Sequence, residues 1–224
     1  SSTRRTSPPG PVSFFLVDYP GYGRNKGAPT PDGILQETDL ALKALEHKMR
    51  VYFQSSKQSD CYPLSKNNFF QISMVGHSLG CAAALQYGAM TGGSRARHVD
   101  KYVLVSPFTS MLEMTKQVVG PLPFVKYILR HDFDNVEKLG KVANCTACSS
   151  DEERQVFARR GVSIKILHGD RDEIVPAAMG KALYEYGKKH YGKVMKIKHH
   201  VVRGAGHNNI LSVAQSKIFK AMDK

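Results

Sequence analysis

Compact apolar runs alternate with longer amphipathic ones along this chain, and the alternation predicts its architecture. Val12 to Val17 is apolar except for Ser13 and ends at Asp18 and a Pro20-Gly21 turn, so a buried strand is expected there. From Gly33 to Arg50, Leu35, Leu42, Leu45 and Met49 return at helical spacing, with Glu37 and Asp39 early and Lys48 and Arg50 late, as a helix dipole favours. The pair then repeats. Strands are expected over Phe69 to Val75, Val99 to Val105, Val162 to Leu167 and Val194 to Val202. Helices are expected from near Ser78, over roughly Ala177 to Tyr191, and after His207, where Ile210, Ala214, Ile218 and Met222 share one face. Such alternation predicts an α/β fold, a mostly parallel sheet with helices on both faces.

Two stretches break the rhythm. Ser55 to Asn68 is polar, holds Cys61 and Pro63, and reads as a surface loop. Phe108 to Arg160 has helical segments but no strand, so residues 108–160 read as a helical excursion or cap over the strand ends. Residues 1–11 are polar, basic and Pro-rich and read as a flexible lead, which leaves residues 12–224 as one domain.

Composition changes this picture little. With 42% hydrophobic and 23% charged residues, the 224-residue chain can bury a core without staples. Its net charge of +13 is spread without a block of five or six like charges and without an interleaved aromatic stripe. Solvated faces are the plain reading, an anionic membrane surface is the partner such charge would favour, and nucleic acid is disfavoured. The four cysteines (Cys61, Cys81, Cys145 and Cys148) are too few and too unevenly spaced for a disulfide framework, so reduced thiols are expected. Cys145 and Cys148 form a C-x-x-C with no second ligand pair, and no metal or cofactor is expected. No apolar run is long enough to cross a bilayer. The glycines of Gly21-x-Gly23-x-x-x-Gly27 lack dinucleotide spacing and read as a strand-exit loop.

The chemistry concentrates in three places. Gly76-His77-Ser78-Leu79-Gly80 is a G-x-S-x-G between an expected strand and an expected helix, where a sharp turn would expose the Ser78 hydroxyl above the sheet. A serine hydroxyl is a weak nucleophile until a base takes its proton. His207 is the candidate base, in the Gly-rich segment Gly204-Ala205-Gly206-His207-Asn208-Asn209 between the last strand and the last helix. His77, His168, His199 and His200 read as structural. The base needs a carboxylate to fix its tautomer, and His168-Gly169-Asp170-Arg171-Asp172 offers two; Asp172 is the choice and Asp170 the alternative. Leu79 can offer its backbone N–H to an oxyanion.

The segments Asp18 to Gly23, Gly76 to Gly80, Ser106-Pro107-Phe108, Phe133-Asp134-Asn135, His168 to Asp172 with Val175-Pro176, and Gly204 to Asn208 together resemble the α/β-hydrolase-domain family. More narrowly they resemble its Bem46-like and protein depalmitoylase-like branch, near the clan SC peptidases of the prolyl oligopeptidase type. The resemblance implies the α/β-hydrolase fold and the triad Ser78, Asp172 and His207. It also implies earlier strands and a His-Gly turn that supplies a second oxyanion donor, for which the segment before Val12 is too short. The chain is therefore expected to be an N-terminally truncated piece of a longer hydrolase. The strands at Val12 and Phe69 are then expected to pair directly or to leave backbone groups unpaired.

The function expected is hydrolysis of acyl esters or thioesters through an acyl-enzyme, with Phe108 and Met111 lining an acyl slot. A peptidase using the same triad, and a catalytically impaired hydrolase fold kept as an interaction module, are the alternatives.

Overall fold

A computed structural model describes residues 14–55, 72–90, 99–119, 131–144 and 161–222. The described elements run α1 (Pro31–Ser55), β1 (Ile72–His77), α2 (Leu79–Met90), β2 (Val99–Val105), α3 (Met111–Val119), α4 (Asn135–Asn144), β3 (Val162–Gly169), α5 (Ala177–Tyr191), β4 (Met195–Val202), α6 (Ile210–Val213) and α7 (Gln215–Met222).

The four strands form one sheet in the order β1-β2-β3-β4, every pair parallel. Parallel neighbours need a crossover, and β1, β2 and β3 are each followed by helices on the way to the next strand. Side chains alternate between the two faces. Tyr102, Leu104, Ile164 and Ile166 point to one face, where Leu85 of α2, Leu139 and Val142 of α4 and Leu183 of α5 cover them. Val103, Val105 and Leu167 point to the other, under Ile210, Ala214 and Ile218. Burial on both faces is why β2 and β3 read as near-continuous apolar runs. In β4, at the edge, Lys196, Lys198 and His200 are exposed, and such charge discourages pairing with another chain.

Helix α1 starts two residues earlier than its apolar spacing suggests. Pro31 takes the first helical position, and the Thr30 hydroxyl accepts the Gly33 N–H at 3.0 Å as the cap. Ile34 is fully buried on it, while Leu35 and Leu42 are only partly covered. The final helix is divided at Ala214 into α6 and α7, but Ile210, Ala214 and Ile218 still share one buried face.

The described part of the first expected strand is not a strand. Phe14 to Val17 carries no strand, and Leu16 is 91% exposed. A strand gains its backbone hydrogen bonds only from a neighbour, and among the described residues β1 pairs with β2 and not with this segment. Instead the Phe14 ring lies edge-on against Phe219 of α7, centroids 5.4 Å apart. Of the expected excursion, α3, α4 and an isolated bridge between Ser110 and Asp134 are described. Residues 120–130 and 145–160, nearly all of the expected loop at Ser55 to Asn68, and Cys61, Cys145 and Cys148 lie outside the described residues.

Candidate active site

The turn from β1 into α2 places Ser78. Its φ is +54°, a left-handed conformation that costs a non-glycine residue on the order of 1 kcal/mol or more. Two backbone bonds hold it there: the Ser78 N–H donates to the Val105 carbonyl at 2.9 Å, and its own carbonyl accepts the Cys81 N–H at 2.9 Å. Gly76 makes the turn possible, since a Cβ there would strike the Gly80 carbonyl and lie 2.6 Å from the Cys81 nitrogen. At Gly80 a Cβ would stop 3.8 Å from the Tyr19 hydroxyl, so the tight requirement falls on Gly76. Leu79 opens α2, and an N–H in the first turn of a helix has no acceptor within that helix.

The loop after β3 supplies Asp172. Its carboxylate is wholly covered and accepts the N–H groups of Ile174 at 3.1 Å and Val175 at 2.8 Å. It also takes His207 Nδ1 on both oxygens, at 3.0 and 2.9 Å. Burial alone would raise its pKa. The Ser106 hydroxyl beside it, the His207 ring and the two backbone N–H groups outweigh burial and hold it below the ordinary carboxylate value, so it is ionised at neutral pH. Ser106, like Ser78, has a positive φ, +51°, at the end of its strand. Asp170 faces elsewhere: it is exposed and accepts the Gly204 N–H at 2.7 Å.

His168 braces the Asp172 loop. Its Nε2–H donates to the Val175 carbonyl at 2.9 Å and lies 3.5 Å from an Asp172 oxygen. Its Nδ1 has no hydrogen-bond partner among the described residues and abuts Gly180 of α5, where a Cβ would collide with the ring. Burial pushes its pKa down, so the ring is neutral.

His207 follows β4 in a turn with Gly204 at φ +75°. Its Nδ1 bonds run to Asp172, and Nε2, on the opposite side of the ring, has no hydrogen bond among the described residues. The His207 and His77 rings lie against each other, centroids 4.6 Å apart, which brings this loop to the end of β1 where Ser78 sits. No hydrogen bond joins Ser78 Oγ to His207 in this structure.

Phe108 and Met111, expected to line an acyl slot, differ in kind. Phe108 is buried in a cluster with Ile34, Phe133, Val175 and Met179, so it forms a floor. Met111 and Met114 of α3 are half-buried against that cluster, as are Leu79 and Tyr19. Tyr19, whose hydroxyl pKa burial raises, is a neighbour of the Ser78 turn that sequence reasoning did not single out. Its place in the Asp18 to Gly23 block was the available signal. Among the described residues no three His, Cys, Asp or Glu side chains gather to hold a metal ion, and no helix is long and apolar enough to cross a membrane.

A parallel sheet, a serine at positive φ on a strand-to-helix turn, and a His–Asp pair from the loops after the next strands define an α/β-hydrolase architecture. The chain belongs to the Alpha/beta hydrolase family, whose sequence profile matches residues 4–216. It is similar to human protein ABHD12B, 25% identical over an alignment 226 positions long that covers 96% of this chain and 52% of that protein. The chain spans about half the length of the curated relatives it matches. Among solved structures it resembles the Pyrococcus furiosus esterase PF2001, with a TM-score of 0.52, 14% identity, and coverage of 91% of this chain and 64% of that one. It also resembles the Pyrococcus horikoshii acylaminoacyl peptidase, with a TM-score of 0.52, 11% identity, and coverage of 85% and 27%. At these identities the two structures speak for the fold alone.

Proposed function

We propose that this chain carries the catalytic machinery of a serine hydrolase that cleaves acyl esters or thioesters, with Ser78 as nucleophile, His207 as general base and Asp172 as its orienting acid. The observation that supports it most is the pair of contacts from the buried, ionised Asp172 carboxylate to His207 Nδ1. That pairing fixes the proton on Nδ1 and leaves Nε2 able to accept one. In the reaction, the Ser78 hydroxyl proton moves to His207 Nε2 as Oγ bonds to the acyl carbon, and the carbonyl oxygen takes the negative charge beside the Leu79 N–H. His207 then returns the proton to the departing alcohol or thiol, and the acyl group stays on Oγ. Water next gives a proton to Nε2 while its oxygen attacks the same carbon; the bond from that carbon to Oγ then breaks, Nε2 returns the proton to Oγ, and the acid leaves with Ser78 and His207 restored.

Tyr19 beside the turn, and the half-buried Met111 and Met114 packed on the cluster that includes Phe108, favour an apolar acyl group. The resemblance to the Bem46-like and depalmitoylase-like branch favours the same substrates, and the net charge of +13 favours their presentation at an anionic membrane surface. A series of p-nitrophenyl esters of rising acyl length, a palmitoyl thioester and a chromogenic peptide, each assayed with Ser78→Ala as control, tests the reading. Turnover of esters and thioester that vanishes in Ser78→Ala is expected. Turnover of the peptide alone would make the chain a peptidase, and no turnover of any substrate would favour the impaired-hydrolase alternative.

A further inference from the structure

Two residues outside the triad hold the backbone of His207 from its two ends. The Glu173 carboxylate accepts the His207 N–H at 3.3 Å. The His77 ring nitrogen Nε2 lies 3.0 Å from the His207 carbonyl. A carbonyl can only accept, so the His77 proton sits on Nε2. Burial, and then the neighbouring His207, push the His77 pKa down, which keeps that ring neutral.

We propose that His77 and Glu173 are positioning residues that clamp the peptide of His207, so that the base is fixed at three points rather than by Asp172 alone. The proposal rests on the reading of His207 as the general base. His207 stands on a turn between buried Ala205 and buried Ile210, with Gly204 at positive φ before it and two exposed asparagines directly after it. Asp172 sets the ring's tautomer and orientation but does not hold the chain that carries the ring. Glu173 and His77 hold that chain, and their own neighbours explain why they can. Glu173 is adjacent to Asp172, so a single loop grips both the ring and the amide. His77 is adjacent to Ser78, so the strand end that carries the nucleophile also holds the loop that carries the base, and the separation of the two is set locally. Gly206 makes room for the clamp, since a Cβ there would lie 2.8 Å from Glu173 Oε2 and 3.3 Å from the Arg171 carbonyl. A base displaced by about 1 Å can cost about a hundredfold in rate, the order of effect such a clamp controls.

The test uses His77→Phe, which keeps an aromatic ring but has no donor, against His77→Gln, whose amide can donate to the same carbonyl. Glu173→Ala is set against Glu173→Gln, which keeps an acceptor oxygen without the charge. Ser78→Ala is the control. For the shortest p-nitrophenyl ester, His77→Phe is expected to lower kcat by roughly ten- to a hundredfold with KM changed by no more than about twofold, and His77→Gln to restore most of it. Glu173→Ala is expected to lower kcat by about tenfold and Glu173→Gln to stay near the parent. The Nδ1 proton resonance of His207, read by NMR without any substrate, is expected to stay sharp in the parent and both Gln variants and to broaden in His77→Phe and Glu173→Ala. Equal behaviour of Phe and Gln at 77, a loss confined to KM, or an Nδ1 resonance unchanged in His77→Phe overturns the clamp. If Ser78→Ala keeps full turnover, the nucleophile reading fails first and the clamp with it; if Ser78→Ala is inactive and the Phe and Gln variants match, the clamp alone fails.

Discussion

Asp172 holds His207 Nδ1 with both carboxylate oxygens, at 3.0 and 2.9 Å, while Asp170, two residues earlier, accepts the Gly204 N–H at 2.7 Å. Asp172→Asn should therefore lower the acylation rate by roughly ten-thousandfold, because an amide cannot impose the Nδ1–H tautomer on the base. Asp170→Asn keeps an acceptor oxygen and should change the rate little. Single-turnover kinetics on an aryl ester separate the two, and a larger loss in Asp170→Asn would exchange their roles.

Glycine is required at 76 for space and at 204 for conformation, and the two costs differ. A methyl group at Gly76 meets backbone atoms that cannot rotate away, so Gly76→Ala should destabilise by about 1 to 3 kcal/mol or more and displace Ser78. At Gly204, φ is +75° and nothing lies within 4 Å of the added carbon. Gly204→Ala should then cost only the left-handed penalty of about 1 to 2 kcal/mol. Urea unfolding of the two variants measures both, with Gly76→Ala expected to lose serine reactivity as well.

Cys81, three residues past Ser78, is a core thiol. It is fully buried, with its sulfur 3.2 Å from the carbonyls of both Gly76 and Val105, and burial pushes its pKa far up. A thiolate is needed for alkylation. Cys81 in the folded chain should resist iodoacetamide and react only on unfolding, as peptide-level mass spectrometry would show; equal rates in the two states would contradict this.

Stability should fall on acidification in two stages. Burial lowers the pKa of His77, His168 and His199. A depressed histidine leaves the unfolded chain binding more protons once the pH drops below about 6.5, so stability present above that value is lost as pH falls toward the folded values. Asp172, held below the ordinary carboxylate value, adds a second loss as pH falls below about 3.9. Calorimetry from about pH 7 downward should show Tm declining as pH falls. A Tm that rose between about pH 7 and pH 5 would contradict the burial of these rings in neutral form.

What could be read from residues alone follows from which forces are local. The apolar period placed β2 at its observed bounds and α5 close to them, and the flanking glycines marked the turns that carry Ser78 and His207, because turn chemistry and amphipathicity are written in adjacent positions. Phe14 to Val17 has the same apolar signal as a real strand, but whether it pairs depends on a neighbour that no local pattern encodes. The apolar character of Phe108 could not tell a slot wall from a core floor, since both are apolar. His77 read as structural because its partner, the His207 carbonyl, lies 130 residues away and a backbone acceptor leaves no trace in residue identity.

Reaction of Ser78 with a fluorophosphonate probe tests the central claim most directly, because only a serine activated by a base reacts at useful rates. The folded chain, Ser78→Ala and His207→Ala are incubated with the probe for equal times, and the modified peptide is identified by mass spectrometry. Labelling of Ser78 in the parent, its absence in Ser78→Ala and a loss of most of it in His207→Ala are expected. Labelling that persists in Ser78→Ala, or a parent chain that the probe leaves unmodified while folded, would contradict the assignment of Ser78 as an activated nucleophile.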